Sequence, residues 1–344
     1  MSLYTDSKAP GFSPVTVAER RKNLADAGYL WNEKVLQEGC LIAAGDPEKQ
    51  FRENPLRILQ GIRLAVHYGM SIDPATQSAM RTQAVHLENR NQACVFEELC
   101  GLLPLMKAED LLRFAPILAA AIPELKPMIG FDQHSPHHAY DLYTHVAGVV
   151  AGVPGDLPLR WAALLHDIGK VPTFTLDETG RGHFRDHAAK GAEMAEEILR
   201  RLQAPAALRE QVVLLIEKHM LWLVPEKKQL RRQIGRLGLG TVYQILSLQQ
   251  ADNSNKGTVK SGENEKYVQI LEALQEIQAE GGCLGLKDLA VSGNDLMEIG
   301  FSGRTISIVL NWLLDQVLEE TLPNERSVLL ALAKCVWMEA WRSS

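Results

Sequence analysis

Six residues in the middle third of the chain are of types that bind divalent cations: His145, His166, Asp167, His187, His219 and Asp252. Each interrupts a stretch that otherwise reads as an apolar helix face. His145 lies in YTHVAGVV, His166 and Asp167 follow the leucines of ALLHDIGK, His187 opens DHAAKGAEMAEEIL, His219 closes LIEKHM, and Asp252 ends VYQILSLQQAD. An ionised aspartate is rarely buried unless it is paired or bound to a metal. Asp167, directly after the apolar run Trp161 to Leu165, therefore asks for a positive partner. Any one of these histidines reads equally well as a hydrogen-bonded core residue. Together, with one metal-capable side chain per helix, they read as a mixed nitrogen and oxygen site of the kind that takes Mg²⁺, Mn²⁺, Co²⁺, Ni²⁺ or Zn²⁺. His145, His166, Asp167 and Asp252 suffice for one ion, and His187 and His219 add a second, with the His-Asp pair able to bridge the two. Lys170, next along, either steadies a phosphate oxygen or is a solvated lysine near a helix C-terminus. His134, His137, His138 and His183 fall in loop-like stretches and read as solvated.

Helices must position these groups. Leu, Ala, Glu, Gln and Arg recur at helical spacing along most of the chain and alternating β-branched runs are scarce, so the expected fold is all-α. PLRILQGIRLAVHY (55–68) repeats apolar residues three and four apart. Asp73-Pro74 reads as an N-cap followed by proline at the first helical position. Helices are expected through Met106, from Glu109 to Ala121, from Asp141 to Val150 and from Leu159 to Ile168, the last carrying the His-Asp pair. LDETGRGHF reads as a polar loop, helices resume near His187, and NSNKGTVKSGENEK after Asp252 reads as a flexible loop or domain boundary. Residues 1–40 are the least interpretable, with one expected helix from Val15 to Ala27.

At 344 residues the chain exceeds the length at which single cores stop growing, so two or three domains are expected. No apolar run is long enough for a membrane span and there is no signal-peptide pattern. Cys40, Cys94, Cys100, Cys283 and Cys335 are odd in number, scattered and without a C-x-x-C pair, as expected of reduced thiols in a cytoplasmic protein. The formal charge of −6 gives no global nucleic-acid signature, although binding follows the distribution of charge rather than its sum.

The pattern His145, His166-Asp167, Asp252 resembles the HD superfamily of metal-dependent phosphohydrolases, all-helical proteins named for that dipeptide. The resemblance implies that His187 and His219 fall where two-metal members carry extra ligands, and that metal-activated water attacks a phosphate ester. The flanking sequence resembles a narrower family, the bacterial tRNA nucleotidyltransferases that add CCA and their poly(A) polymerase relatives. GDPEKQFRENPLRILQGIRLA (45–65) is similar to their neck, FDQHSPHHAYDLYTHV through HFRDHAAKGAEMAEEILRRL to their HD-bearing body, and 289–333 to the tail that grips tRNA. The resemblance implies a neck at 45–127, an HD domain at 128–255 and a helical, RNA-binding tail at 256–344, with 1–44 unassigned or a remnant of the head.

Two departures accompany it. Residues 1–44 hold neither the Gly-rich phosphate turn nor the D-x-D pair of the family's catalytic head and are too short for it, so a head is expected from elsewhere or not at all. The family's nucleotide-templating Glu-Asp-x-x-Arg reads Glu53-Asn54-Pro55-Leu56-Arg57; Asn54 keeps an acceptor but loses the charge. Glu53, Asn54 and Arg57 either still meet a nucleotide or only stabilise a helix start. EKKQLRRQIGRLG (226–238) gathers Lys227, Lys228, Arg231, Arg232 and Arg236 on one side of a helix whose Leu230, Ile234 and Leu237 face a core; the cations either meet RNA phosphates or form a solvated face. The reading is a phosphohydrolase of nucleotide or RNA-terminal phosphates, 2′,3′-cyclic ones included, linked to tRNA 3′-end processing. The alternatives are a non-catalytic RNA-binding relic, and nucleotide addition with a head supplied elsewhere.

Overall fold

The computed structural model describes residues 22, 23, 25–29, 39–135, 139–257 and 263–342. It is all-α, as the helical periodicity indicates, apart from two small strand pairs. The described residues fall into two compact units, Met1–Met220 with Ala251–Val259 and Leu221–Gln250 with Lys260–Ser344.

In the first unit, short helices are started and stopped by side chains that the sequence displays. Asp46 caps the helix Pro47–Glu53 by accepting from Glu48 N at 3.0 Å, and Asp73 caps Pro74–Gln83 by accepting from Thr76 N at 3.0 Å. The helix Leu56–Tyr68 buries Ile58, Leu59, Ile62, Leu64 and Ala65 and ends on Gly69, whose φ of 63° is the left-handed conformation glycine adopts without cost. Two expected helices are broken. Gln92–Leu102 stops short of Met106, before Pro104, and Ala108–Arg113 and Ala115–Ala121 are separate helices on either side of Phe114. Pro116, in the first turn of the latter, has no N–H to continue an uninterrupted ladder. Of the helix expected over Val15–Ala27, only its last residues are described, and Lys22, Asn23, Ala25 and Asp26 are helical.

The helices that carry the candidate ligands follow. Leu142–Gly152 is capped by Asp141, and Leu157–Leu165 by Asp156 with Pro158 in its first turn. Trp161 is fully buried and stacks on Phe96, ring centroids 5.7 Å apart. Tyr143 Oη donates to the Leu111 carbonyl at 3.3 Å, and the buried Arg160 donates to the carbonyls of Pro154 and Met106 at 3.1 and 3.3 Å. These bonds tie the ligand-bearing helices to the preceding ones. The helix of ALLHDIGK ends at Leu165, not at Ile168: His166 is its cap, Asp167 leaves the α region at φ −105° and ψ 8°, and Ile168–Lys170 forms a single 3₁₀ turn.

That turn is possible because residue 169 is glycine. A Cβ there would fall on the His187 carbonyl oxygen and beside the Gly191 nitrogen, so the turn packs backbone to backbone against the helix His187–Arg201. The expected polar loop LDETGRGHF is a β-hairpin, with Phe174–Leu176 antiparallel to Gly182–Phe184. Asp177 makes its turn by accepting from the backbone of Thr179 and Arg181. The other strand pair is Cys40–Leu41 parallel to Ser71–Ile72. Helices Ala206–Lys218 and Leu239–Ser254 complete the set, the latter ending within the first unit.

The second unit packs the helices Lys227–Leu237, Glu263–Glu280, Gly293–Glu298, Arg304–Leu318 and Arg326–Arg342. Leu296, Val309, Leu313, Leu314, Leu318, Leu329 and Ala333 make its core. Among the described residues no helix is long and apolar enough to cross a membrane, and all five cysteines are unpaired.

Gly169→Ala is expected to destabilise the protein by about 1–3 kcal/mol, the usual penalty of overpacking. It would appear as a lower urea midpoint, and an unchanged midpoint would contradict the close packing of this turn.

Candidate metal centre

The sequence scatters the six candidate ligands over 108 positions, from 145 to 252; the fold brings all six together. They form two groups that share Asp167: His145, His166, Asp167 and Asp252, and Asp167, His187 and His219, with the donor atoms of each group within 4.8 Å of one another.

In the first group, His145 Nε2 lies 3.0 Å from Asp252 Oδ1 and 3.5 Å from Asp167 Oδ2, and His166 Nε2 lies 3.3 and 3.8 Å from Asp167 Oδ2 and Asp252 Oδ1. Two donors bonded at about 2.1 Å to one ion stand roughly 3.0–3.5 Å apart in octahedral or tetrahedral geometry. The separations therefore suit a shared cation. In the second group, Asp167 turns its other oxygen, Oδ1, to His187 Nε2 at 3.6 Å, and the Nε2 atoms of His187 and His219 face each other at 3.2 Å.

Backbone carbonyls decide which nitrogen points inward. Nδ1 of His145 is 3.0 Å from the Asn255 carbonyl, Nδ1 of His166 is 2.9 Å from that of Ala163, Nδ1 of His187 is 2.9 Å from that of Phe184, and Nδ1 of His219 is 2.6 Å from that of Ile216. A carbonyl only accepts, so each Nδ1 carries a proton and each Nε2 is the nitrogen turned to the centre. The lone pairs of His187 and His219 then repel at 3.2 Å unless a cation stands between them. His166 Nε2 is fully buried and makes no hydrogen bond. The donor set fits a divalent cation.

The charges agree. Burial alone would raise the carboxyl of Asp167, but His166 and Lys170 hold it well below the usual range; burial likewise opposes ionisation of Asp252, and His145, His166 and Lys256 outweigh it. Burial would depress His166, but the two carboxylates raise it. Burial and the charge of His166 bring His219 down to about 4, and burial also lowers His187. Two carboxylates held toward the charged form and two imidazoles held toward the neutral form could accept a positive guest.

Lys170 is not the solvated lysine that its sequence context allowed. It is 6% exposed, its Nζ lies 2.7 Å from Asp167 Oδ2, and it donates to the buried Gln133 Oε1 at 3.0 Å. Its ammonium also lies 5.3 Å from the centre of the Phe184 ring. Sequence reasoning missed three neighbours: Gln133, Asn255, whose carbonyl sets the His145 tautomer, and Lys256, whose Nζ lies 2.7 Å from Asp252 Oδ2. The proximity of Asn255 and Lys256 to Asp252 in sequence was the one available signal.

The remaining candidates stand apart from this cluster. His183 is exposed on the hairpin, 2.7 Å from Asp177, and His134 is half-exposed and stacked on Phe174. His137 and His138 lie outside the described residues. Glu53 ends the helix Pro47–Glu53, Asn54 caps its C-terminus by donating to the Gln50 carbonyl at 3.0 Å, and Arg57 opens the next helix, its carbonyl accepting from Tyr29 Oη at 2.6 Å. In the second unit, Lys227 pairs with Glu276 and Glu280 at 2.7 and 2.6 Å, Arg231 with Glu280 and Glu320, and Arg232 with Glu319. Lys228 and Arg236 are exposed. Leu230 and Ile234 are buried and Leu237 half-buried.

Residues 143–257 match the HD domain. The A-adding tRNA nucleotidyltransferase of Deinococcus radiodurans is 31% identical over 246 residues, covering 67% of this chain and 56% of that protein. The CC-adding tRNA nucleotidyltransferase of Thermus thermophilus is 34% identical over 199 residues, covering 54% and 46%. The chain thus spans about half the length of the curated relatives it matches. The crystal structure of the Bacillus stearothermophilus CCA-adding enzyme in complex with CTP superposes with a TM-score of 0.58 at 17% identity, over 90% of this chain and 69% of that one, a likeness of fold.

His166→Ala is expected to abolish high-affinity Mn²⁺ binding in calorimetry, whereas His183→Ala leaves it unchanged. Equal loss in both variants would contradict the placement of the centre.

Proposed function

We propose that this chain, an HD-domain homologue of the tRNA nucleotidyltransferases, is a metal-dependent phosphohydrolase acting on nucleotide or RNA-terminal phosphates, 2′,3′-cyclic ones among them. The observation that carries this reading is the set of four imidazoles with Nδ1 tied to backbone carbonyls and Nε2 aimed at two ionised carboxylates. His145, His166, Asp167 and Asp252 are the residues that would hold one divalent cation, and Asp167, His187 and His219 a second. When bound, such a cation polarises a phosphate oxygen and makes neighbouring water more acidic.

The chain's own groups supply the rest. Their carbonyl partners pre-orient the four rings, so no ligand must reorganise when the centre fills. His145, His166 and Asp167 are themselves buried, which lowers the effective dielectric around them and strengthens the charge interactions there. Lys170 supplies the one buried ammonium at the centre and is the group placed to meet a phosphate oxygen. His187 and Asp252, each with a 14% exposed side chain, mark the edge from which a substrate arrives.

The partner in this reading is tRNA or a related RNA, as the names of the relatives suggest, and the setting it implies is cytoplasmic. The neck, HD and tail division at 45–127, 128–255 and 256–344 goes with it, as does nucleotide addition by a separately supplied head as the second role of the same family. The basic helix Lys227–Leu237 contributes less to RNA than its composition suggests, because three of its five cations are already paired with Glu276, Glu280, Glu319 and Glu320. Lys228 and Arg236 remain for phosphate contacts.

The purified protein is expected to hydrolyse 2′,3′-cyclic AMP with Mn²⁺ or Ni²⁺, and Asp167→Ala to lose that turnover. No turnover with any of these metals would overturn the phosphohydrolase reading for this substrate class. For RNA, Lys228→Glu with Arg236→Glu is expected to weaken binding of a tRNA transcript in a gel shift and to flatten its salt dependence. Unchanged binding would exclude this helix from the interface.

A further inference from the structure

Asp167 Oδ2 is contested. It lies 3.3 Å from His166 Nε2 and 3.5 Å from His145 Nε2, so it is the oxygen that the four-residue group offers to a cation. The same atom lies 2.7 Å from Lys170 Nζ. Asp252 shows the contrasting arrangement: its Oδ1 faces the imidazoles while Lys256 holds the outer oxygen, Oδ2, at 2.7 Å. Lys256 therefore neutralises its carboxylate from the oxygen turned away from the imidazoles, whereas Lys170 shares the very oxygen that faces them.

A buried ammonium has three protons to place. One goes to Gln133 Oε1, and the ammonium as a whole is ion-paired with Asp167 Oδ2 at 2.7 Å. Gln133 is itself buried and cannot retreat. Its loop is bonded to the hairpin by Gly182 N donating to the His134 carbonyl at 2.8 Å, and a side chain at position 182 would run into the Gln133 carbonyl. Phe131 packs edge-on against Phe174 of the same hairpin, ring centroids 5.2 Å apart. Lys170 is thus pinned on one side and cannot simply leave when Asp167 Oδ2 turns to a cation. It then loses its ion-pair partner in a buried place, which is unfavourable for a charged group.

The charges point the same way. The two carboxylates and the two lysines beside them, Asp167 with Lys170 and Asp252 with Lys256, already sum to zero. A dication entering alone leaves a buried double positive charge, and an anion entering with it removes that excess.

We propose that Lys170 couples the two ligands of this centre: its ammonium is paired with Asp167 Oδ2 and is handed to a phosphate oxygen when a divalent cation binds that oxygen, so that cation and phosphate bind together. The proposal rests on the phosphohydrolase reading and adds to it a thermodynamic linkage and the residue that enforces it. By reciprocity, each ligand strengthens the other by the same factor.

The test is calorimetric titration of Mn²⁺ into the full chain, with and without inorganic phosphate. Phosphate is expected to tighten Mn²⁺ binding by about tenfold, within the usual range of coupling between sites. Lys170→Met removes the competitor; it is expected to tighten Mn²⁺ binding in the absence of phosphate and to make it indifferent to phosphate. Gln133→Glu offers the ammonium another anion and keeps Lys170 itself, so it is expected to act in the same direction should the methionine variant fail to fold. Mn²⁺ affinity that falls in both variants, or that binds equally in all three proteins and ignores phosphate, overturns the coupling and leaves the metal centre standing. No Mn²⁺ binding by the unaltered chain overturns both.

Discussion

An ionised carboxylate buried without a counter-charge costs several kcal/mol, and the first unit of this protein is built around paying that cost at one point. Asp167 is 2% exposed and is the one acid among the described residues in the buried class. It keeps its charge because His145, His166, His187 and Lys170 surround both of its oxygens. Everything nearby follows from bringing those groups to it: the helix Leu157–Leu165 that ends one residue before His166, the 3₁₀ turn that carries Lys170 back beside Asp167, and the glycine that lets this turn touch the helix of His187. Burial holds two further imidazoles, His187 and His219, toward the neutral form beside the same carboxylate.

Short segments do much of the positioning. The hairpin Phe174–Phe184 supplies the carbonyl that orients His187, the ring under Lys170 and the backbone that holds the loop of Gln133. The stretch after Asp252 does the same for the other side, with Asn255 fixing His145 and Lys256 fixing Asp252. Asn255 fits because residue 148 is glycine: a Cβ there would collide with the Asn255 side chain. The centre is therefore held by local backbone geometry as much as by the ligands themselves.

This explains what was legible in the sequence. The six residues of the cluster were readable because each one is a polar intrusion on an apolar face, and burial makes such intrusions conspicuous. The cap at Asp73 was readable for a related reason, since capping depends on side-chain type. The hairpin was not, because its strands are three residues long and its turn is polar, leaving no alternation to detect. Gln133 and Asn255 were not, because one acts through an amide buried by distant packing and the other through a carbonyl that every residue possesses. The pairing of the basic helix was hidden for a third reason: Lys227, Arg231 and Arg232 find their carboxylates 49 to 89 residues away, at Glu276, Glu280, Glu319 and Glu320, and sequence proximity carries no trace of such pairs. The end of the motif helix was misplaced by three residues because a 3₁₀ turn continues the helical spacing without continuing the α-helix.

X-ray absorption at the metal edge of the Ni²⁺-loaded protein probes the convergence of imidazoles and carboxylates most directly. A nitrogen and oxygen shell with the outer scattering of bound imidazole rings, lost in His166→Ala, is the expected spectrum. A shell of oxygen alone, unchanged by that substitution, would mean that the histidines meet at this point for packing and not for a cation.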